Sequence, residues 1–241
     1  MKLALTHLTN TPTKIKSAFT LAETLITLGI IGIVAAITIP NLIHTYQEKQ
    51  TVAKLKETYS ILQQAIRTAE ENEGELAGLG IKYDEDGAKT IANHLLPYLK
   101  VAIDCGVEDT ENKCVVSDKY KELNGSERMG YSSNKNIYKF VLLNGTAVYL
   151  RGADAGTISS YNGKNNIIGI YIDTNGKAKP NQWGRDFFSF FYLDEGIGLV
   201  PTGHPDELTY SYKNTCMNKM QNGVGCAYYV MNFGNMGYLK K

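Results

Sequence analysis

The stretch SAFTLAETLITLGIIGIVAAITIPNL, Ser17 to Leu42, decides how the rest of the chain is read. From Phe19 to Ile39 its only ionisable residue is Glu23, and Leu25–Ile39 is uncharged throughout. A run of this length lies between the core of a signal peptide and a full membrane span of ~20 residues. A carboxylate in hydrocarbon costs about 2.5–3.5 kcal/mol even on the lenient insertion scales. A segment that served only as an anchor has no use for one, so Glu23 points to a partner. The plainer alternative is a single-pass anchor in which Glu23 snorkels near the cytoplasmic face.

Charge on either side of the run sets its orientation. The leader, residues 1–18, carries Lys2, Lys14 and Lys16 and no acid. Without those three, 22 basic residues face 24 acidic ones in a chain whose overall net charge is +1. A basic tip before an apolar run keeps the N-terminus in the cytoplasm, which puts everything after Pro40 outside. The near-zero net charge shows no electrostatic footprint for nucleic acid. A length of 241 residues is room for one domain, with space for a sub-lobe.

An ordinary secretory signal is cut after its apolar run. Ala35-Ala36 could serve, but Ile37, Thr38, Ile39 and Pro40 follow with no polar stretch. A small residue, Ala18, instead precedes the run, directly after Lys14-Ile15-Lys16-Ser17. This order, with Phe19, Thr20, Leu21 and Glu23 next and Pro40 closing the helix, resembles the prepilin-type N-terminal segment of type IV pilins and type II secretion pseudopilins. Gly32 also stands at that family's usual place. The likeness covers about residues 14–46. Ala18 stands where the family more often has Gly, and the leader is long for a pseudopilin.

The resemblance implies that a membrane-embedded prepilin peptidase cuts between Ala18 and Phe19 and methylates the new Phe19 amine. It also implies a partner for Glu23, the free N-terminal amine of a neighbouring subunit. Removing one half of such a buried pair costs about 3–5 kcal/mol. Gly29, Gly32, Ala35 and Ala36 are small residues in the same helix. Gly32 and Ala36 have the small-xxx-small spacing that lets helices approach closely in lipid.

Beyond Pro40 the helical pattern resumes, so the proline is expected to kink the helix rather than end it. Val52, Leu55, Tyr59, Leu62, Ile66 and Ala69 recur at steps of three and four, one narrow stripe with Gly74 as a stop. A second helix is predicted over Lys89–Leu99, with Pro97 against it. Residues 105–114 read as a polar loop and residues 119–136 as irregular. From Ile137 the period becomes that of strands. Asn144-Gly145 is a strong hairpin turn, a third strand ends at Asn175-Gly176, and Phe187–Leu193 and Ile197–Val200 read as a fourth and fifth. The expected fold is α+β, a long N-terminal helix packed on an antiparallel sheet, which is also the pilin layout. Its divisions are a leader (1–18), a membrane and assembly helix (19–40), an amphipathic continuation (41–74) and an extracytoplasmic globular domain (75–241).

Four cysteines fall as two close pairs, Cys105/Cys114 and Cys216/Cys226. Even numbers in an exported chain suggest disulfides, and of three possible pairings proximity favours the local one. Neither pair has CxxC spacing, and His7, His44, His94 and His204 are scattered, which argues against zinc. Asp173, Asn175 and Asp186 supply hard oxygens around a Gly turn and are a weak calcium candidate. The order of ligands lacks the usual loop pattern, and an ordinary Asn-Gly turn with Asp186 as a cap or in an ion pair is the reading adopted. No P-loop, G-x-S-x-G or H-E-x-x-H is present, so no enzyme activity and no cofactor are expected. Tyr210/Tyr212 and Tyr228/Tyr229 could line an exposed aromatic surface for glycans or proteins, against plain strand packing.

The function this implies is a filament subunit, anchored in the cytoplasmic membrane by a single pass and later extracytoplasmic or at the cell surface. Its partners are prepilin peptidase, identical or related pilin subunits, the assembly machinery and membrane lipid. The rival is a minor tip pilin or membrane-anchored adhesion module for a surface, a secreted protein or DNA.

Overall fold

Helix α1 covers Leu21–Glu73 and continues through Pro40. Pro40 has no N–H, so the Ala36 carbonyl loses its usual donor. Side chains around it turn back onto the helix: Thr38 Oγ1 donates to the Val34 carbonyl at 2.8 Å and Asn41 Nδ2 to that of Ile37 at 3.3 Å. The helix ends where Gly74 takes a φ of +96°, a left-handed conformation that glycine alone adopts cheaply. The computed structural model describes residues 20–111, 113–115, 119–129, 131, 133–153, 166–193, 197–205 and 210–240. They form two compact units divided between Thr45 and Tyr46.

In the first unit the apolar side chains of α1 lie uncovered among the described residues. Leu21, Leu25, Ile26, Leu28, Ile30, Ile31, Ile33, Val34, Ile37, Ile39, Leu42 and Ile43 are each 50–79% accessible. An 18-residue window here has a mean hydropathy of 2.2 and is long and apolar enough to cross a membrane.

The second unit is an α+β domain. Its six-stranded antiparallel sheet has the spatial order β1-β4-β5-β6-β7-β8. The strands are β1 (Val101–Gly106), β4 (Ile137–Leu142), β5 (Ala147–Gly152), β6 (Asn166–Asp173), β7 (Phe187–Leu193) and β8 (Gly198–Pro201). A separate hairpin joins β2 (Lys119–Lys121) to β3 (Glu127–Met129). Four of the five strand pairings in sheet order are between sequence neighbours, so most pairing is local hairpin pairing.

One face of the sheet receives the second half of α1. Leu55, Leu62, Ile66 and Ala69 share a core with Phe140, Leu142, Val148, Leu150, Ile170, Phe188 and Phe190. The alternate residues of the same strands, Ala147, Tyr149, Tyr171 and Phe187, belong to a second core with Tyr120, Trp183 and Val224. The period of two therefore sorts each strand between two apolar layers. Strand β7, FFSFFYL, is buried at every position because both of its faces are covered. The predicted stripe is too narrow: Thr58 and Ala65 are also buried. Thr58 is accommodated by hydrogen bonding to Thr146 Oγ1 at 3.2 Å.

Helix α2 covers Glu85–Leu95, earlier than predicted, because Asp84 caps it by accepting from the Gly87 N–H at 2.7 Å. Leu96–Tyr98 follow as one 3-10 turn, which accommodates Pro97. Gly87 and Gly152 both lie under the Lys82 carbonyl, and a Cβ on either would collide with it. Small helices α3 (Tyr212–Thr215) and α4 (Cys226–Phe233) complete the domain. Residues 119–136 are not wholly irregular, since β2 and β3 lie within them, and β1 is a strand that the pattern did not reveal.

Candidate functional site

Ala18 and Phe19, the predicted cleavage pair, lie outside the described residues. Their neighbour Thr20 is described, and it engages Glu23. Thr20 N donates to Glu23 Oε2 at 2.8 Å, Thr20 Oγ1 donates to the same oxygen at 2.9 Å, and Glu23 N donates back to Thr20 Oγ1 at 3.2 Å. This is a reciprocal capping box, which satisfies backbone donors that every helix start leaves open. Thr-x-x-Glu is legible in the sequence as that motif, so the local role of Glu23 had a signal. Both Thr20 donors converge on Oε2, and none of these bonds uses Oε1.

Gly32 and Gly29 face open space in this single chain: a Cβ built on either meets nothing within 4 Å. Their smallness therefore serves no contact inside the described chain. Around them, the exposed apolar residues of α1 form a surface that no described residue of the chain covers.

The cysteines pair locally, Cys105–Cys114 and Cys216–Cys226, with Cα separations of 6.2 and 5.1 Å. Within the first loop Asp109 is a hub. Its Oδ1 accepts from Lys113 N at 2.7 Å, and its Oδ2 accepts from Cys114 N at 3.0 Å and Val115 N at 2.7 Å. Cys105, Asp109 and Cys114 form the one metal-like cluster of side chains among the described residues, but both sulfurs are consumed in the disulfide. Lys139, fully buried on β4, ties this loop to the sheet. Its Nζ donates to the carbonyls of Val107, Asn134 and Ile137 at 2.7, 2.9 and 3.1 Å. Burial pushes the Lys139 ammonium down to about 8, against the opposing pull of Asp109 and Glu108.

Asp173, Asn175 and Asp186 do come together. Asp173 ends β6 fully buried, where its Oδ2 accepts from Tyr120 Oη at 2.8 Å and its Oδ1 from Asn175 N at 3.2 Å. Asp186 accepts from Gln182 N at 2.6 Å on Oδ1, and from Asn181 N at 2.7 Å and Asn175 Nδ2 at 3.2 Å on Oδ2. N–H and O–H donors thus surround both carboxylates, as a cap requires. Two hard oxygens beside them, Asn175 Oδ1 and Asn181 Oδ1, are buried without a hydrogen-bond partner. Those four side chains are the residues able to offer a hard cation oxygen ligands. Burial, then the neighbouring Asp186 charge, hold Asp173 well above the usual carboxylate range. Burial likewise raises Asp186 to about 6, opposed by its N–H donors.

The tyrosines divide between packing and surface. Tyr120, Tyr149, Tyr171 and Tyr238 are buried, and Tyr120 Oη and Tyr149 Oη are 3.0 Å apart. Tyr212 stacks on Tyr228 with ring centroids 5.4 Å apart, and Tyr229 meets Phe233 at 4.7 Å. Phe233 is 47% exposed, so this group on α3 and α4 reaches the surface. The chain matches no family model, no curated protein and no solved structure.

Proposed function

We propose that the chain is a filament subunit of the pilin or pseudopilin kind. Prepilin peptidase removes residues 1–18, the Phe19 amine is methylated, and subunits assemble through the first half of α1. The observation that carries this reading is Glu23. It is a carboxylate at the head of an uncovered apolar helix, held by Thr20 on one oxygen with the other left for a neighbour. Assembly supplies both things the isolated helix lacks, a cover for its apolar face and a cation for its acid. In this reading the chain is the substrate of an enzyme and not one itself. The globular domain, stapled by two disulfides, is the extracytoplasmic part.

The aromatic group of half-buried Tyr212 and Tyr229 with exposed Phe233 favours a second reading, a minor tip subunit that binds a surface or a partner protein. Fractionation of sheared filaments tests both. The chain should be recovered in the filament fraction, in bulk if it builds the shaft and in trace if it sits at the tip. Complete retention in the membrane pellet under conditions that release filaments would contradict both.

A further inference from the structure

The chain contains two Asn-x-Ser/Thr tripeptides, Asn124-Gly125-Ser126 and Asn144-Gly145-Thr146, each at the tip of a hairpin. We propose that Asn124 is the acceptor of an N-linked glycan, whereas Asn144 is not. The inference rests on export of the domain, which is part of the function proposed above.

The tripeptide is the minimal acceptor for carbohydrate on an exported surface. At the β2–β3 tip all three of its residues are exposed. Asn124 Oδ1 accepts from Ser126 N at 2.9 Å, which folds the side chain over the +2 residue and leaves Nδ2 with no protein partner among the described residues. A Cβ built on Gly125 meets nothing within 4 Å, so nothing lies over the turn. The base of the tip is fixed. Leu123 is buried, its N–H donates to the Asn222 carbonyl at 3.0 Å, and Gln182 Nε2 donates to the Glu122 and Leu123 carbonyls at 2.9 and 3.0 Å. Glu122, two positions before the asparagine, is half-buried with its carboxylate 3.4 Å from Arg128 Nη1, an ion pair across the base of the hairpin that helps hold the tip in place.

The other tripeptide has the same turn, with Asn144 Oδ1 accepting from Thr146 N at 3.1 Å, but it is closed. Thr146 is fully buried, and both its hydroxyl and Asn144 Nδ2 are engaged by Thr58 of α1, at 3.2 and 3.4 Å. A glycan there would have to break contacts between the helix and the sheet.

The donor required is an oligosaccharide carried on a polyisoprenyl diphosphate, with an oligosaccharyltransferase to join the two. A bond forms between Asn124 Nδ2 and the sugar C1 as the C1–O bond to the diphosphate breaks. The lipid diphosphate leaves with the electron pair, and the amide proton goes to a base on the transferase. No oxidant or reductant is needed.

The test is tryptic mapping of the full chain purified from the cells that naturally produce it. Cleavage at Lys121 and Arg128 isolates Glu122–Arg128. This peptide should carry a sugar increment that fragment ions place on Asn124, with the Asn144 peptide bare. Asn124→Gln and Ser126→Ala should each abolish the increment completely. A bare Glu122–Arg128 peptide, or sugar on Asn144 instead, overturns the proposal. The N-terminal peptide of the same sample separates the two readings: methylated Phe19 with a bare Asn124 removes this inference alone, whereas a start at Met1 removes the filament reading.

Discussion

Replacing Glu23 by Gln and by Ala separates two roles that the structure superimposes on one side chain. The capping box holds Glu23 Oε2 at 2.8 and 2.9 Å from its two Thr20 donors. Gln keeps a carbonyl oxygen for those donors and loses only the charge. Hydrogen bonds to charged groups contribute about 1.5–3 kcal/mol and neutral ones about 0.5–1.5, so the helix start weakens by about 1 kcal/mol. Ala removes the acceptor altogether. Neither change reaches the sheet or the α1 residues that pack on it, so folding of the globular domain should be untouched. Assembly is a different matter. Burying the ammonium of a neighbour without its counter-charge costs about 3–5 kcal/mol per contact. That is roughly two to nearly four powers of ten in the contact equilibrium. Both variants should therefore insert and fold, and both should be missing from sheared filaments, with a thiol cross-link between subunits lost in parallel. Hydrogen exchange at residues 20–24 in detergent should distinguish them, rising strongly for Ala and slightly for Gln. Glu23→Gln subunits entering filaments at the wild-type level would refute the reasoning, because a snorkelling anchor loses nothing with its charge.

Three further outcomes follow from the globular domain. Non-reducing peptide mapping should return Cys105–Cys114 and Cys216–Cys226 with no free thiol, and loss of either loop closure should cost at most about 2–3 kcal/mol; a Cys105–Cys226 link would contradict the fold. Lys139→Met should destabilise by about 2–4 kcal/mol in urea, since it takes the ammonium donor away from two buried carbonyls, those of Val107 and Ile137. Because the folded ammonium lies near 8, below its usual 10.5, wild type should gain stability relative to that variant as pH rises from about 8 to 10.5, and a flat difference would refute the burial argument. Asp186 has the opposite sign. Its folded value of about 6 lies above the usual 3.8, so its contribution is complete below about 4 and is lost as pH rises through 6. Urea midpoints that fail to fall between pH 4 and 6.5 in wild type relative to Asp186→Asn would contradict that assignment.

The parts legible in the sequence are those whose pattern repeats. The α1 stripe through Leu55, Leu62 and Ile66 and the Asn144-Gly145 turn each announce a period or a turn type, and both stand where expected. Strand β1 was hidden because its residues are mostly exposed or half-buried and two register shifts break its pairing with β4. Lys139 was hidden for another reason. A lysine on a strand reads as a solvated position, and only the loops carrying Val107 and Asn134 fold over it and bury it. The start of α2 could have been placed, since Asp84 before Glu85-Asp86 is an ordinary capping signal. At the candidate sites, residue types were readable but their partners were not. Asp186 looked like a cap or a ligand from sequence alone, and the Asn181 and Gln182 N–H groups that reach it belong to a loop whose path no local pattern records.

Processing of this chain as a filament subunit at the head of α1 is read out by mass spectrometry of the mature N-terminus. A single terminus at Phe19 carrying one methyl group on its amine is expected, with residues 1–18 absent. A chain that begins at Met1, or one cut after Ala36 so that Glu23 and the apolar half of α1 are lost, would contradict it.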